Sequence, residues 1–175
     1  MFNNLLLTVV SDDKPGIVEE IAKAVAEHEG NWLESRLAQL GGKFAGVVHV
    51  AVPQDQESAV REALNALKSK SIWINIEEYT ASSDASSSQA LASFSAVGPD
   101  RPGIVREITQ AFTSHQINVA EIETSLSSMP YSGEPLFEAE GVLQLPAELD
   151  MQDLQDTLNT IADSLGMDIS LTKND

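Results

Sequence analysis

The feature that most limits what this chain can fold into is an internal repeat. Residues 13–18, Asp-Lys-Pro-Gly-Ile-Val, recur as residues 100–105, Asp-Arg-Pro-Gly-Ile-Val, at an offset of 87. Asn31 and Asn118 align at the same offset, and the second copy then has six extra residues around 127–135. Because the two copies share their pattern along most of their length, we expect the chain to build one small unit twice.

Both copies show apolar patterns in the same order. An alternating apolar strand is followed by a helical stripe, two strands, a second helical stripe and a final strand. In the first copy Gly41-Gly42 predicts a two-residue hairpin, and the apolar residues of the next strand, from Phe44 to Val52, share one face. The order βαββαβ, found twice, predicts an α+β protein of two ferredoxin-like domains in tandem. Each domain is then an antiparallel sheet with two helices on one face.

The predicted domain boundaries are 1–80 and 91–175, separated by a linker at 81–90. The linker is assigned from its Ser-rich composition, which is typical of a solvated tether. A domain of about 85 residues buries limited surface, and the pattern provides no helix for the second face of its sheet. Pairing of the units with each other or with another chain is therefore expected.

Charge and composition exclude several classes of function. The 175 residues hold ten Lys and Arg against 27 Asp and Glu, a formal net charge of −17. A surface this acidic repels phosphate groups, which argues against direct binding to nucleic acid or to an anionic membrane. With no cysteine, the chain has no disulfide, thiolate zinc site or cysteine nucleophile. Neither a membrane span nor a signal peptide is indicated, so the cytoplasm is the expected location.

The repeated Asp-Lys/Arg-Pro-Gly motif is the strongest indication of a binding site. It lies between the first strand and the first helix, so free N–H groups and the positive end of the helix dipole favour a carboxylate there. Gly16 and Gly103 have no Cβ, which lets a ligand approach the backbone closely. For Asp13 and Asp100 two interpretations stay open, a helix cap or a partner for a ligand ammonium group. The structural alternative for the whole motif is a plain capped helix start.

The other polar candidates also have structural explanations. Asn31 and Asn118 begin the second strands, where an Asn can turn the chain or hydrogen-bond a ligand. His28 and His115 end the first helical stripes, where we expect half-buried residues and not metal ligands. The acidic residues of the last helix, Asp150 among them, are expected to form a solvated face. The sequence indicates no metal, no cofactor and no nucleophile–base pair, so we do not expect an enzyme.

The stretch Val97–Val105, Val-Gly-Pro-Asp-Arg-Pro-Gly-Ile-Val, resembles the ACT domain family of amino-acid-sensing modules. Residues 11–18 are a weaker first copy, and the resemblance covers the chain apart from the linker. The motif also resembles the regulatory part of formyltetrahydrofolate deformylases, whose hydrolase domain has no counterpart in this sequence. As a tandem pair with a longer loop at 127–135, the chain is most similar to the glycine cleavage system transcriptional repressor family.

This resemblance implies a small amino acid as the ligand, glycine for the repressor family, bound where two ACT units meet edge to edge. The residues that it assigns to the ligand are Asp13, Gly16, Ile17 and Asn31 in the first copy, and Asp100, Arg101, Gly103, Ile104 and Asn118 in the second. It further implies a transcriptional activator protein as partner, no direct contact with DNA, and homo-oligomers through ACT sheet edges. The first copy has Ser11-Asp12 where the second has Gly98-Pro99, so the two loops are not expected to bind alike.

Two functions from different classes remain. In the first, two ACT units sense an amino acid, and the ligand shifts the population of arrangements that a protein partner reads. In the second, the chain is a ligand-free interaction and assembly module whose Asp-x-Pro-Gly loops only start helices.

Overall fold

The computed structural model describes residues 1–79 and 90–173 and divides the chain into two compact units, Met1–Ser83 and Asp84–Asp175. The first unit consists of β1 (Phe2–Asp12), α1 (Ile17–Ala26), β2 (Asn31–Leu40), β3 (Lys43–Pro53), α2 (Glu57–Ala66), a 3-10 helix (Leu67–Lys70) and β4 (Ile72–Glu78). The second unit consists of β5 (Ala90–Pro99), α3 (Ile104–Ser114), β6 (Asn118–Ser128), β7 (Pro135–Leu145), α4 (Met151–Leu165) and β8 (Asp168–Lys173). The segment predicted as a linker lies outside the described residues, except for Ala90 at the start of β5.

Each unit contains one antiparallel four-stranded sheet. The strand orders are β2-β3-β1-β4 and β6-β7-β5-β8, which confirms the tandem ferredoxin-like α+β fold. The predicted hairpin is also confirmed, because Leu40 pairs with Lys43 across Gly41 and Gly42. Both glycines have positive φ angles, +58° and +78°, as a two-residue turn that follows the twist of the strands requires.

The predicted face of β3 is the buried one. Val48, Val50 and Val52 are completely buried under α1 and α2, and Leu143 on β7 has the same environment in the second unit. Alternate residues face away from the helices, and His49 is among them, as its strand parity predicts. The two cores are therefore separate, and each is built from one sheet face and two helices.

A close backbone approach requires the glycine in the middle of β7. A Cβ at Gly141 would lie 2.2 Å from the Glu121 carbonyl oxygen and 2.5 Å from Cε1 of Phe94. The Phe94 ring in turn packs edge-on against Phe112 of α3, with ring centroids 5.1 Å apart. Gly141 thus leaves room for the aromatic pair at the centre of the second core.

The helices that follow the middle strands begin with polar contacts. The Glu57 carboxylate at the start of α2 accepts hydrogen bonds from Asn3 Nδ2 at 2.6 Å and from Arg61 Nε at 2.7 Å. These two donors, Asn3 first, hold the pKa of Glu57 below its ordinary value. Asp150 caps α4, because its Oδ1 accepts from the Gln152 N–H at 2.9 Å and the Asp153 N–H at 3.2 Å. Asp150 is exposed, as a residue of a solvated face is expected to be, and it also caps the helix.

The first histidine of each repeat lies next to a helix C-terminus. His28 follows α1, and its Nδ1 is 2.9 Å from the Ala24 carbonyl oxygen. His115 ends α3, and its Nε2 is 3.1 Å from Thr157 Oγ1 on α4. In the described ranges no three or more His, Asp or Glu side chains are grouped so that they could hold a metal ion. None of the described helices combines the length and the apolarity needed to cross a membrane.

Candidate functional site

The two Asp-x-Pro-Gly motifs form the turns between β1 and α1 and between β5 and α3. The Asp13 N–H donates to the Gly42 carbonyl at 2.9 Å, and the Asp100 N–H donates to the Pro135 carbonyl at 3.0 Å. Both acceptors lie at the hairpin between the middle strands of the unit. Each loop is thereby anchored to a hairpin at one end of its sheet.

The helices after these loops begin without a side-chain cap. Gly16 and Gly103 precede α1 and α3 with left-handed φ angles of +92° and +97°. In the first unit the helical bonds start with the Glu20 N–H, which donates to the Gly16 carbonyl at 3.0 Å. No side chain in the described part of the chain accepts from the preceding N–H groups, in contrast to the capped start of α4. Of the two interpretations of Asp13 and Asp100, the cap is not formed, which leaves these N–H groups without a side-chain acceptor.

A cavity of about 290 Å³ adjoins the loop of the first unit. Its walls are residues of the loop and the first helical turn, Asp13, Gly16 and Ile17 among them, together with Phe44 of β3. This volume lies at the lower end of the range for small-molecule sites, which suits a ligand the size of a small amino acid. Asp13 and the first residues of α1 thus line the same cavity.

A second cavity, of about 400 Å³, lies on another side of the same loop and is rich in lysine. Lys14, Lys23 and Lys70 line it, which are three of the ten Lys and Arg residues of the chain. Lys14 donates to the Lys70 carbonyl, and Lys70 Nζ lies 2.7 Å from Glu20 Oε1. The hydrogen bond from Lys70 holds the pKa of the Glu20 carboxyl below its ordinary value. Glu19 and Glu20 also line this cavity, so its lining has three cations and two carboxylates.

The loop of the second unit is built differently. Nη2 of Arg101 lies 3.3 Å from both carboxylate oxygens of Glu107, so this cation lies across the first turn of α3. A Cβ at Gly98 would come within 2.4 Å of Cγ of Met167, whereas its counterpart Ser11 is buried and donates to a neighbouring carbonyl at 2.9 Å. The two loops therefore share their backbone conformation and differ in the charged and packed groups around it.

The two predicted isoleucines do not present their side chains to a ligand. Ile17 and Ile104 are 3% and 2% exposed and belong to the two cores. What they can contribute to a site is the backbone N–H of the first helical residue.

The predicted asparagines lie at the opposite end of each sheet from the loops. Asn31 pairs with Ala51, which in turn pairs with Asn4 near the start of β1. From Asn4 to Asp12, where the loop begins, the strand runs about 26 Å at the usual rise of about 3.3 Å per residue. Asn118 occupies the same position in the second unit, where its Nδ2 donates to Gln144 Oε1 at 2.7 Å. Within one unit, a small ligand at the loop therefore does not reach the Asn.

The sequence reasoning missed Phe44 and Lys14 as residues of the first site. The sequence predicts Phe44 on the core face of β3, where it packs half-buried against the core, and Phe44 also lines the cavity. The predicted Gly-Gly turn contains the signal that finds it, because antiparallel pairing across that turn places Phe44 opposite Ser11, next to the loop. Lys14 belongs to the motif itself, and it lines both cavities beside the first loop.

Comparison with known proteins supports the fold and the motif. The family model of the ACT domain matches residues 3–72, and a second ACT domain model matches residues 93–128; together they take in more than half of the chain. The crystal structure of an unknown protein from Galdieria sulphuraria matches with a TM-score of 0.84 and 26% identity over 100% of both chains. The crystal structure of a "putative glycine cleavage system transcriptional repressor" matches with a TM-score of 0.70 and 22% identity, over 99% of this chain and 98% of that one. A comparison with the curated proteins finds no significant match.

These matches agree with the architecture derived above. Each unit has the βαββαβ order, the helices on one sheet face and the glycine-terminated loop before its first helix. The chain therefore belongs to the ACT domain family and contains two ACT domains in tandem.

Proposed function

We propose that the chain is a non-catalytic sensor of a small amino acid. The observation that carries this proposal is the pair of helix starts, each with uncapped N–H groups behind a left-handed glycine. In the first unit they open onto a cavity of about 290 Å³ that Asp13 also lines. A bound amino acid would place its carboxylate at the helix N–H groups and its ammonium group beside Asp13, so that both charges gain a partner.

Glycine is the ligand to test first. The cavity is small, and the structurally similar relative is named for glycine cleavage. At 22% identity that likeness concerns the fold, so the relative's name contributes a hypothesis and the site geometry contributes its physical basis.

The proposed mechanism is a population shift. Because the loop and the Asn of one unit lie about 26 Å apart, a ligand that uses both kinds of residue contacts two ACT units and favours one arrangement of them. A protein partner, a transcriptional activator in the cytoplasm, would then read that arrangement. A net charge of −17 disfavours direct contact with DNA, so regulation of glycine cleavage genes would act through this partner.

A thermal-shift screen against the twenty amino acids tests the proposal. A ligand at 100 times its Kd adds about 2.7 kcal/mol of stability, which raises the melting temperature of the unit that binds it by roughly 10–20 °C. A rise with glycine or with one other amino acid is the expected result. No rise with any of the twenty would contradict the sensor proposal. For the genetic role, a reporter of glycine cleavage gene expression in the host should lose its response to glycine when the gene for this chain is deleted.

The assembly function is the second candidate, and the sheet edges favour it. β2 and β6 are edge strands of 10 and 11 residues, and most of their residues are exposed. Such edges present unpaired N–H and C=O groups to another strand. Light scattering of the pure chain with and without glycine separates the two candidates. An oligomer that forms without any ligand and ignores all twenty amino acids would favour the assembly module.

A further inference from the structure

The hairpin of the second unit is extended. In the first unit Gly41-Gly42 alone connects β2 to β3, whereas residues 129–134 connect β6 to β7. Two backbone hydrogen bonds close this longer tip. The Met129 N–H donates to the Glu134 carbonyl at 2.8 Å, and the Gly133 N–H donates to the Met129 carbonyl at 3.1 Å. The six residues of this connection therefore form a defined structure, which we call the hairpin tip (residues 129–134).

Tyr131 occupies the hairpin tip in a strained conformation. Its φ angle is +76°, in the left-handed region that side chains other than glycine disfavour, and its side chain is fully exposed. Because the Tyr131 side chain is fully exposed, it has no burial that would offset the energetic cost of this strain. Strained residues concentrate at functional sites, and tyrosine is enriched where protein surfaces meet. Leu126, on the strand that leads to the tip, is a further exposed apolar side chain, at 64% exposure.

The hairpin is bonded directly to the loop that the proposed function assigns to the ligand. The Asp100 N–H donates to the carbonyl of Pro135, the residue immediately after the hairpin tip. In the first unit the equivalent bond, from Asp13, ends on Gly42, which has no side chain to display. In the second unit the loop is thus bonded to the residue that follows the hairpin tip, where β5 and β7 end their pairing.

We propose that the hairpin tip is the output element of the second ACT domain, which presents Tyr131 to a protein partner according to the state of the loop at 100–103. This inference rests on the proposed sensor function and names the surface that the partner reads. The fitting partner is a protein with an apolar pocket for the Tyr131 ring and basic groups around it. The basic character follows from charge, because residues 107–172 contain no Lys or Arg and Glu134 belongs to the tip itself.

Hydrogen exchange on the full-length chain, with and without glycine, tests the coupling. If the loop and the hairpin tip open together, glycine at 100 times its Kd slows exchange of the amides of 129–134 by up to about 100-fold, in parallel with those of 100–106. The cap amides of Gln152 and Asp153, at the other end of the sheet, are the internal control and should not change. Protection of the loop without protection of the tip would overturn this inference and leave the sensor proposal standing. If glycine slowed exchange at no amide of the chain, both this inference and the sensor proposal would be contradicted.

Two variants test the role of the tyrosine ring. Tyr131→Gly suits the positive φ angle, so the melting temperature should not fall and glycine should still protect the loop. In the host reporter assay this variant should behave like the gene deletion, whereas Tyr131→Phe should keep the response to glycine. Full regulation by a folded Tyr131→Gly chain would overturn the assignment of Tyr131 as the contact residue.

Discussion

The substitution Gly16→Ala tests separately the two roles of the first loop (residues 13–16). One role is to start α1, and the other is to contact the ligand. The backbone there has φ +92°, and a Cβ would meet no atom within 4 Å, so the cost of Gly16→Ala is backbone strain alone. Such strain amounts to about 1–2 kcal/mol. At about 4–8 °C per kcal/mol for a domain of this size, the first unit should melt roughly 4–16 °C lower. The added methyl group also enters the cavity where the carboxylate is proposed to lie. Loss of one charge-assisted hydrogen bond, worth about 1.5–3 kcal/mol, weakens binding roughly 10–150-fold.

Gly41→Ala is the matched control for this prediction. Gly41 lies in the same unit at φ +58°, a Cβ there would also meet no atom within 4 Å, and the residue lines neither cavity of the loop. Denaturation should show a comparable loss of stability in both variants. An amide-resolved glycine titration, followed at Val18, should show weakened binding only in Gly16→Ala. Equal glycine affinity in the two variants, or an unchanged stability of Gly16→Ala, would refute the reasoning.

Three further predictions concern stability. Glu57→Gln should lower the free energy of unfolding at pH 7 by roughly 1 kcal/mol relative to Glu62→Gln. The pKa of Glu57 is lowered in the folded state, so its contribution to the free energy of unfolding is complete above the ordinary carboxyl pKa. The contribution is lost as the pH falls through the lowered pKa. Urea titrations at pH 7 and pH 3 should therefore show a smaller difference between the two variants at pH 3. Gly141→Ala should destabilise the second unit by about 3 kcal/mol, because the new methyl group would overlap the backbone and an aromatic ring. A melting temperature within about 2 °C of wild type, which corresponds to a loss on the order of 0.5 kcal/mol, would contradict this prediction. Asp150→Ala should lower the free energy of unfolding by about 1 kcal/mol through loss of the α4 cap, and Asp150→Ser should recover most of this loss. Equal stabilities of the two variants in calorimetry would argue against the cap.

The fold could be predicted from the sequence because local rules and the repeat agreed. A Gly-Gly pair between two alternating strands admits few backbones besides a tight hairpin, and the strand parity on either side then decides which residues are buried. Val48 in one copy and Leu143 in the other test that parity independently, and both are completely buried.

The site could be predicted only in part, because its geometry depends on the end of the sheet at which each later strand begins. The Asp-x-Pro-Gly motif indicates where a helix starts. It does not indicate the distance in space between that helix start and the first residue of the next strand. Asn31 is close to the motif in sequence, yet α1 carries the chain back along the sheet, so Asn31 lies at the far end. Phe44 is far from the motif in sequence and lies beside the loop, because β3 begins where β1 ends.

Two further features were beyond pattern reasoning. Asp150 shares the helical spacing of the acidic residues that follow it, so its role as a cap appears only when the first residue of α4 is known. The positive φ angle of Tyr131 is set by the closure of a six-residue tip, for which the sequence has no simple turn signature.

The central claim is that the free N–H groups at the helix starts hold the carboxylate of a small amino acid. A crystal structure of the chain grown with saturating glycine tests this claim most directly. We predict a glycine with its carboxylate oxygens about 2.7–3.2 Å from backbone nitrogens of residues 17–19 or 104–106, and with its ammonium group beside Asp13 or Asp100. Glycine bound elsewhere on the chain, or both loops without ligand at saturating glycine, would contradict the account.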